Sequence, residues 1–208
     1  MVLVKQRWRK RPVCCSFAFA AAAVFLLIFG GVSLWLFWLA ALVHELGHLT
    51  VLRLLRGRVE QLCFRLSGAE IRYGGCRLSY GGEVVLALAG PVTNLLCALL
   101  CGLAVRWHPA PWLYRFIGCH LILAAFNLLP ALPMDGGRIL QALLEWHVPL
   151  RGEAITTAVS FMLGGLLTLM GTAVFLKSRN LTLFTAGLVI LHSSARKSTL
   201  HLPLKLLK

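Results

Sequence analysis

The stretch of sequence that decides the fold is LWLFWLAALVHELGH, residues 34–48. Its first ten residues carry no charge, and the two histidines that follow, His44 and His48, stand four residues apart with Glu45 beside the first. Residues at this spacing share one face of a helix, so both imidazoles can bind the same metal ion. Ionisable groups inside an apolar membrane segment are costly and usually serve a function. The sequence therefore predicts a metal site within a membrane helix.

The composition indicates a membrane protein. The 208 residues are 59% hydrophobic and only 13% charged, whereas soluble domains are roughly 45–50% apolar and about 25% charged. We expect one polytopic domain over residues 1–208. The net charge of +14 does not predict a nucleic-acid partner, because the basic residues flank apolar segments instead of sharing one polar face. The seven cysteines are scattered without a CxxC pair, so neither a disulfide framework nor a thiolate metal site is expected.

The predicted fold class is an all-α membrane protein with a bundle of six transmembrane helices. A helix needs about 20 apolar residues to cross a bilayer. The first candidate follows a basic N-terminus and resembles a signal peptide, but the apolar sequence continues beyond Gly30 and Gly31 without a polar cleavage region. We therefore interpret it as a retained span. The six predicted spans are about 13–30, 32–54, 84–106, 112–129, 153–176 and 181–195.

A glycine-rich interval separates the second and third predicted spans. Its short apolar segments, at 59–66, 69–73 and 76–80, are joined by glycine-containing turns. This pattern predicts a short β-hairpin or small sheet at about 59–80. Such a sheet could accept an extended peptide as an additional strand. It could equally be a connector that packs on the surface of the bundle, and the sequence leaves both interpretations open.

The distribution of basic residues predicts the orientation in the membrane. If the N-terminus is cytoplasmic, all but four of the 21 lysines and arginines fall in cytoplasmic segments, as the positive-inside rule requires. We therefore expect a multi-pass protein of a bacterial cell membrane, with both termini in the cytoplasm. His44 lies nine residues before Arg53, which is about 13–14 Å along a helix. This distance predicts a metal site inside the hydrocarbon layer and toward the cytoplasmic side.

A catalytic zinc ion usually has three protein ligands and one water. The chain has seven acidic residues, and its only aspartate is Asp135, in the sequence NLLPALPMDGG at 127–137. Pro130 and Pro133 interrupt any helix there, so the carboxylate can project into the bundle. Asp135 also lies at the same predicted membrane side as His44 and His48. It is the candidate third ligand of one Zn²⁺ ion, and Glu45 is the candidate general base.

Three motifs together resemble the site-2 protease family of intramembrane zinc metalloproteases. They are the histidine motif, AGPVTN at 89–94 and NLLPALPMDGG at 127–137. The resemblance covers about residues 30–150, the expected catalytic core, and is greatest to small bacterial members of the stage IV sporulation protein FB type. It implies the following roles: His44, His48 and Asp135 bind zinc, Glu45 is catalytic, and Asn94 and Asn127 contact the substrate or the oxyanion.

The resemblance also implies the function. A member of this family would hydrolyse a peptide bond within or next to a transmembrane segment of a membrane-embedded protein or peptide. A sigma-factor precursor or an anti-sigma factor is a candidate substrate, sporulation a candidate pathway, and a regulatory membrane protein a candidate partner. Because the chain ends soon after the last predicted span, we expect no C-terminal nucleotide-sensing domain.

The alternative is a non-catalytic membrane protein that binds or transports a metal. A structural zinc site is usually closed by four protein ligands. The sequence offers three strong candidates, His44, His48 and Asp135, and retains Glu45 beside them. These residues favour catalysis.

Overall fold

The computed structural model describes residues 13–15, 31–65, 68–74 and 78–205, with side chains described at 31–57 and 78–195. The elements along the chain are β1 (Val13–Cys15), α1 (Gly31–Leu54), β2 (Arg58–Arg65), β3 (Gly68–Gly74), α2 (Tyr80–Ala104), α3 (Pro111–Asn127), α4 (Asp135–His147), α5 (Gly152–Ser178) and α6 (Thr182–Lys205).

Three of the described helices, α1, α2 and α5, are long and apolar enough to cross a membrane, with 24, 25 and 27 residues. They identify the chain as a membrane protein, but the predicted count of six spans is not supported. Helix α3 has only 17 residues, about 26 Å at the helical rise, which is shorter than the roughly 30 Å hydrocarbon core. In α6, Arg196 and Lys197 follow the apolar residues 182–195, which are too few to cross a bilayer.

The first predicted span, 13–30, is also not found in the part that is described. Residues 13–15 form β1, which pairs in parallel with β2, and residues 16–30 lie outside the described residues.

The described strands form a three-stranded sheet with the order β1-β2-β3. Strands β2 and β3 lie between α1 and α2 in the chain. β2 and β3 are antiparallel, and Arg58 pairs with Gly74 at one end and Arg65 with Gly68 at the other. The sequence also predicted a strand at 76–80. The end of that prediction is wrong, because Tyr80 is the first residue of α2. Ser79 caps that helix, and its Oγ accepts a hydrogen bond from the Gly82 N–H at 3.1 Å. A capped N-terminus of this kind favours a helix over a strand.

Helix α2 lies at the centre of the bundle and packs against α1, α3 and α4, while α5 packs against α4 and α6. The interior formed by α1 to α4 holds an unusual number of buried polar side chains. They are His44, His48, Asn94, His120 and Asp135. Large apolar side chains such as Leu100, Met162 and Leu169 are exposed instead. This inversion fits a bundle whose outer surface faces lipid and whose polar groups are satisfied internally.

Helices α5 and α6 approach closely through glycines. A Cβ atom at Gly171 would lie 2.5 Å from the Phe184 Cα and 2.8 Å from the Leu183 carbonyl carbon, both in α6. In the same helix interface, Gly187 of α6 lies against Thr168 of α5. Small residues at a helix interface let two backbones come within van der Waals contact, which stabilises membrane helix pairs.

We expect Gly171→Ala to destabilise the protein by about 1–3 kcal/mol, because the added methyl overlaps the α6 backbone. Gly165→Ala is the matched control in the same helix, since a Cβ atom there meets nothing within 4 Å. Thermal unfolding of the detergent-solubilised protein measures both. Equal unfolding temperatures for the two variants would contradict this description of the α5–α6 interface.

Candidate metal centre

The side chains of His44, His48 and Asp135 meet at one point between α1 and α4. The Nε2 atoms of the two histidines are 3.1 Å apart. The Asp135 Oδ2 lies 3.1 Å from the first and 3.2 Å from the second. All three residues are buried, with 5%, 6% and 7% of their surface exposed. Among the described residues they are the group able to hold a metal ion, as the sequence predicts.

The donor atoms fit a zinc ion. Ligand atoms of a tetrahedral site with bonds of about 2.0–2.2 Å lie roughly 3.3–3.6 Å apart, within about half an ångström of the distances between these three atoms. Two imidazoles and one carboxylate are the ligand types of catalytic zinc sites, which keep a fourth position for water or substrate. Gly90 of α2 leaves the space that these ligands need. A Cβ atom there would lie 2.6 Å from the His44 Nε2 and would also collide with the His48 Nε2.

The loop between α3 and α4 delivers Asp135. Two glycines follow the aspartate, and each lies against the backbone of this loop. A Cβ atom at Gly136 would collide with the Leu128 carbonyl, and one at Gly137 would lie 2.6 Å from the Ala131 carbonyl oxygen. Asp135 is the first residue of α4, where the helix dipole favours a negative charge. The glycines therefore let the loop fold back on α4 and place the carboxylate beside the histidines.

Helix α5 holds the same loop from the other side. The Leu132 N–H donates to the Ser160 Oγ at 2.9 Å, and the Ser160 hydroxyl donates to the Thr156 carbonyl at 2.8 Å. Both α5 side chains are fully buried. The sequence did not predict this contact, because serine and threonine in a membrane helix usually bond only to their own helix. Ser160 links α5 to the position of the Asp135 loop.

A backbone carbonyl orients His48. The His48 Nδ1 lies 2.8 Å from the Leu86 carbonyl oxygen of α2. A carbonyl can only accept, so the Nδ1 carries the proton and donates it. The Nε2 lone pair is then free to bind a metal, the arrangement found for most metal-binding histidines.

Asn94 of α2 lies behind His44. Its Nδ2 lies 3.1 Å from the His44 Nδ1, and its Oδ1 lies 3.0 Å from the His120 Nδ1 of α3. Asn94 and His120 are both completely buried. Asn94 is thus a partner of a candidate ligand, on the side of the imidazole away from Asp135. Its predicted contact with substrate or oxyanion stays a prediction.

The structure does not bring the remaining candidates into the same cluster. Glu45 is half-buried beside His44 on α1, where its predicted role as a base is untested. Asn127 is also half-buried, and its Nδ2 donates to the Leu123 carbonyl of its own helix at 2.9 Å. Its predicted contact with substrate stays a prediction.

Two residues of the site were missed or undervalued by sequence reasoning. Arg138 counted only as a topological charge, yet its Nη1 lies 3.8 Å from the Asp135 Oδ1, one turn along α4. His120 is not among the site residues predicted from the sequence, yet its Nδ1 contacts Asn94. The signals were present, because Arg138 follows Asp135 at i+3 and a histidine in the middle of an apolar helix usually has a function.

Comparison with known proteins supports the same kind of site. Residues 102–170 match the model of peptidase family M50. The chain is 27% identical over 176 residues to a zinc metalloprotease of Methanocaldococcus jannaschii, covering 82% of this chain and 50% of that protein. It is 29% identical over 164 residues to the Rip3 protein of Mycobacterium tuberculosis, covering 68% and 41%. The chain therefore spans half or less of the length of these relatives.

A solved structure extends the likeness to the fold. The site-2 protease from Methanocaldococcus jannaschii superposes with a TM-score of 0.68 and 25% sequence identity, covering 89% of this chain and 90% of that chain. The structural match therefore covers far more of the chain than residues 102–170, the segment matched by the family model.

We expect Gly90→Ala to lower zinc affinity at least tenfold, because the new methyl displaces the His44 and His48 nitrogens; support lost around metal ligands typically costs about 10–100-fold. Gly102→Ala in the same helix is the control, since a Cβ atom there meets nothing within 4 Å. Competition with a chromophoric chelator measures both affinities. Unchanged binding in Gly90→Ala would mean that the metal is held elsewhere.

Proposed function

We propose, from its similarity to the site-2 protease structure and to the model of peptidase family M50, that the chain is an intramembrane zinc metalloprotease. It hydrolyses a peptide bond within or next to a transmembrane segment of a membrane-bound substrate. The observation that carries the proposal is the buried convergence of His44, His48 and Asp135, with donor atoms 3.1–3.2 Å apart, beside Glu45 on a membrane helix.

The proposed mechanism assigns one role to each group. The two His Nε2 atoms and the Asp135 Oδ2 hold the zinc ion. When bound, zinc polarises the scissile carbonyl and lowers the pKa of water toward about 7. Glu45, next to His44 in the chain, accepts the proton of the attacking water and later gives it to the leaving amide nitrogen. The Arg138 guanidinium lies beside the Asp135 Oδ1 and leaves Oδ2 facing the histidines.

The alternative function is non-catalytic binding or transport of a metal. Within the described part of the chain, the candidate metal group contains three ligands and no fourth. A structural site would usually be closed by a fourth protein ligand. An open position next to a glutamate favours hydrolysis over a structural role.

We further propose that the site lies toward the cytoplasmic side, within a single domain over residues 1–208. The cytoplasmic position of both termini depended on six spans and stays a prediction. Because three of the six predicted spans are not supported, the main remaining argument is the basic end of α1. Arg53, Arg56 and Arg58 follow the histidines, and His44 is about 13–14 Å from Arg53 along the helix axis. The positive-inside rule places such an end in the cytoplasm.

A substrate helix must unwind before its peptide bonds can react, because its carbonyls are already hydrogen-bonded along the helix. In the sheet, β3 pairs on one side with β2 and lies at the edge. An unwound substrate can add to such an edge as an extended strand. A sigma-factor precursor or an anti-sigma factor remains a candidate substrate, and a regulatory membrane protein a candidate partner.

Replacement of Glu45 by glutamine tests the proposed function. We expect Glu45→Gln to reduce cleavage by about 10²–10⁴-fold, the typical contribution of a general base, while zinc binding persists. Glu83→Gln is the matched control, because Glu83 is exposed in the first turn of α2. Membrane peptides that accumulate in cells making Glu45→Gln, but not in those making Glu83→Gln, identify the substrate. Its cleavage is then measured in reconstituted vesicles, where full activity of Glu45→Gln would refute the assignment.

A proline in β3 tests the edge-strand proposal. We expect Ile71→Pro to slow cleavage several-fold or more, because proline removes a backbone donor and distorts a strand. Ile71→Val keeps the β-branched side chain and serves as the control. The rates are compared on the accumulated substrate in vesicles, with zinc content measured in parallel. A normal rate for Ile71→Pro would support the connector interpretation of the hairpin instead.

A further inference from the structure

The loop at 128–134 leads from α3 to Asp135, and one of its backbone N–H groups finds its acceptor outside this segment. The two prolines of the loop have no N–H to donate. Four further N–H groups donate to backbone carbonyls of α3 or of the loop itself; they belong to Leu128, Leu129, Ala131 and Met134. The remaining N–H is that of Leu132, which donates to the Ser160 Oγ of α5 at 2.9 Å. Ser160 therefore ties the backbone of this loop to another helix.

The Leu132 peptide is enclosed by α4 and α5. A Cβ atom at Gly137 of α4 would lie 2.5 Å from the Leu132 nitrogen, and Ser160 of α5 is completely buried. Leu132 itself is 8% exposed, so water has little room to replace the serine as acceptor. A buried N–H without an acceptor is costly. If the hydroxyl were removed, the peptide would have to turn toward another partner, three residues before Asp135.

The Ser160 hydroxyl is oriented as an acceptor. Its one proton is donated to the Thr156 carbonyl oxygen at 2.8 Å. A hydroxyl that has donated its proton still has lone pairs, and one of these receives the Leu132 N–H. The position of α5 is thereby passed to the loop, although α5 contributes no ligand to the cluster of His44, His48 and Asp135.

We propose that Ser160 is a positioning residue that acts on the metal site through the Leu132 peptide. The two histidines are four residues apart on α1, so this helix sets their spacing. Asp135 comes from a segment 87 residues beyond His48, and its place depends on tertiary contacts. By holding Leu132, Ser160 keeps the Asp135 Oδ2 at 3.1 and 3.2 Å from the two Nε2 atoms. The inference rests on the proposed zinc site and deepens it.

Thr156 provides a matched control one turn earlier on α5. Both side chains are completely buried, and each hydroxyl donates to the carbonyl four residues before it, that of Thr156 to Gly152 at 2.9 Å. The difference is the additional hydrogen bond that the Ser160 Oγ accepts from the loop. Thr156→Val and Ser160→Ala therefore each remove one bond within α5, but only the second change leaves Leu132 without its acceptor.

The test compares these two variants in the full chain purified in detergent. Zinc affinity is measured by chelator competition, and the geometry of the site by the visible absorption spectrum of bound Co²⁺. We expect Ser160→Ala to bind zinc about 10–100-fold more weakly and to change the Co²⁺ spectrum, because the carboxylate is no longer held at ligand distance. Thr156→Val should bind zinc as the unmodified protein does and keep its spectrum.

Thermal unfolding distinguishes positioning from a structural role. With chelator present, both variants should unfold earlier than the unmodified protein, since each has lost a hydrogen bond within α5. Added zinc should then stabilise Ser160→Ala less than Thr156→Val, because stabilisation by a ligand follows its affinity. If Ser160→Ala does not fold, Ser160→Cys takes its place, because the thiol fills the space of the hydroxyl but is a weak acceptor.

Each other outcome overturns a stated claim. Unchanged zinc affinity in Ser160→Ala, or an equal loss in Thr156→Val, would refute the positioning role and leave the proposed function standing. Earlier unfolding of Ser160→Ala with full zinc affinity would make the residue structural. Failure of the unmodified protein to bind zinc would refute the proposed function itself.

Discussion

The structure depends on the close approach of three polar groups inside an apolar bundle. Two imidazole nitrogens and one carboxylate oxygen lie 3.1–3.2 Å apart, where water has little access. Burying such groups without partners would cost several kcal/mol, so hydrogen bonds from the surrounding helices must offset this cost. The polar cluster is accommodated by the glycines of α2 and α4, by the Asp135 loop and by the buried asparagine.

Backbone proximity is the means by which the cluster is assembled. Gly90 brings α2 against the histidines, and Gly136 and Gly137 bring the 128–134 loop against α4. At each of these positions a single methyl group would occupy space now filled by a ligand or by backbone. The loop is held in turn by Ser160 of α5. The metal-binding geometry is therefore supported by helices that contribute no ligand.

The two histidines are oriented by different devices. His48 donates to a backbone carbonyl, which fixes its tautomer without help from any side chain. His44 instead lies against the side-chain amide of Asn94, whose oxygen contacts His120. One ligand is thus oriented by a backbone carbonyl of the neighbouring helix α2, and the other by side-chain contacts that extend from α1 through α2 to α3.

Local sequence was sufficient for the histidine pair, because a spacing of four residues places both on one face of any helix. Asp135 could be inferred as the sole aspartate, set between helix-breaking prolines and two glycines. The span count failed, because an apolar run resembles a span even where α3 stops after 17 residues and α6 becomes basic after Ala195. The chain of contacts from His44 through Asn94 to His120 was decided only by the tertiary structure. Its members are 26 and 50 positions apart, and helix packing, which no local pattern records, determines whether such distant residues meet.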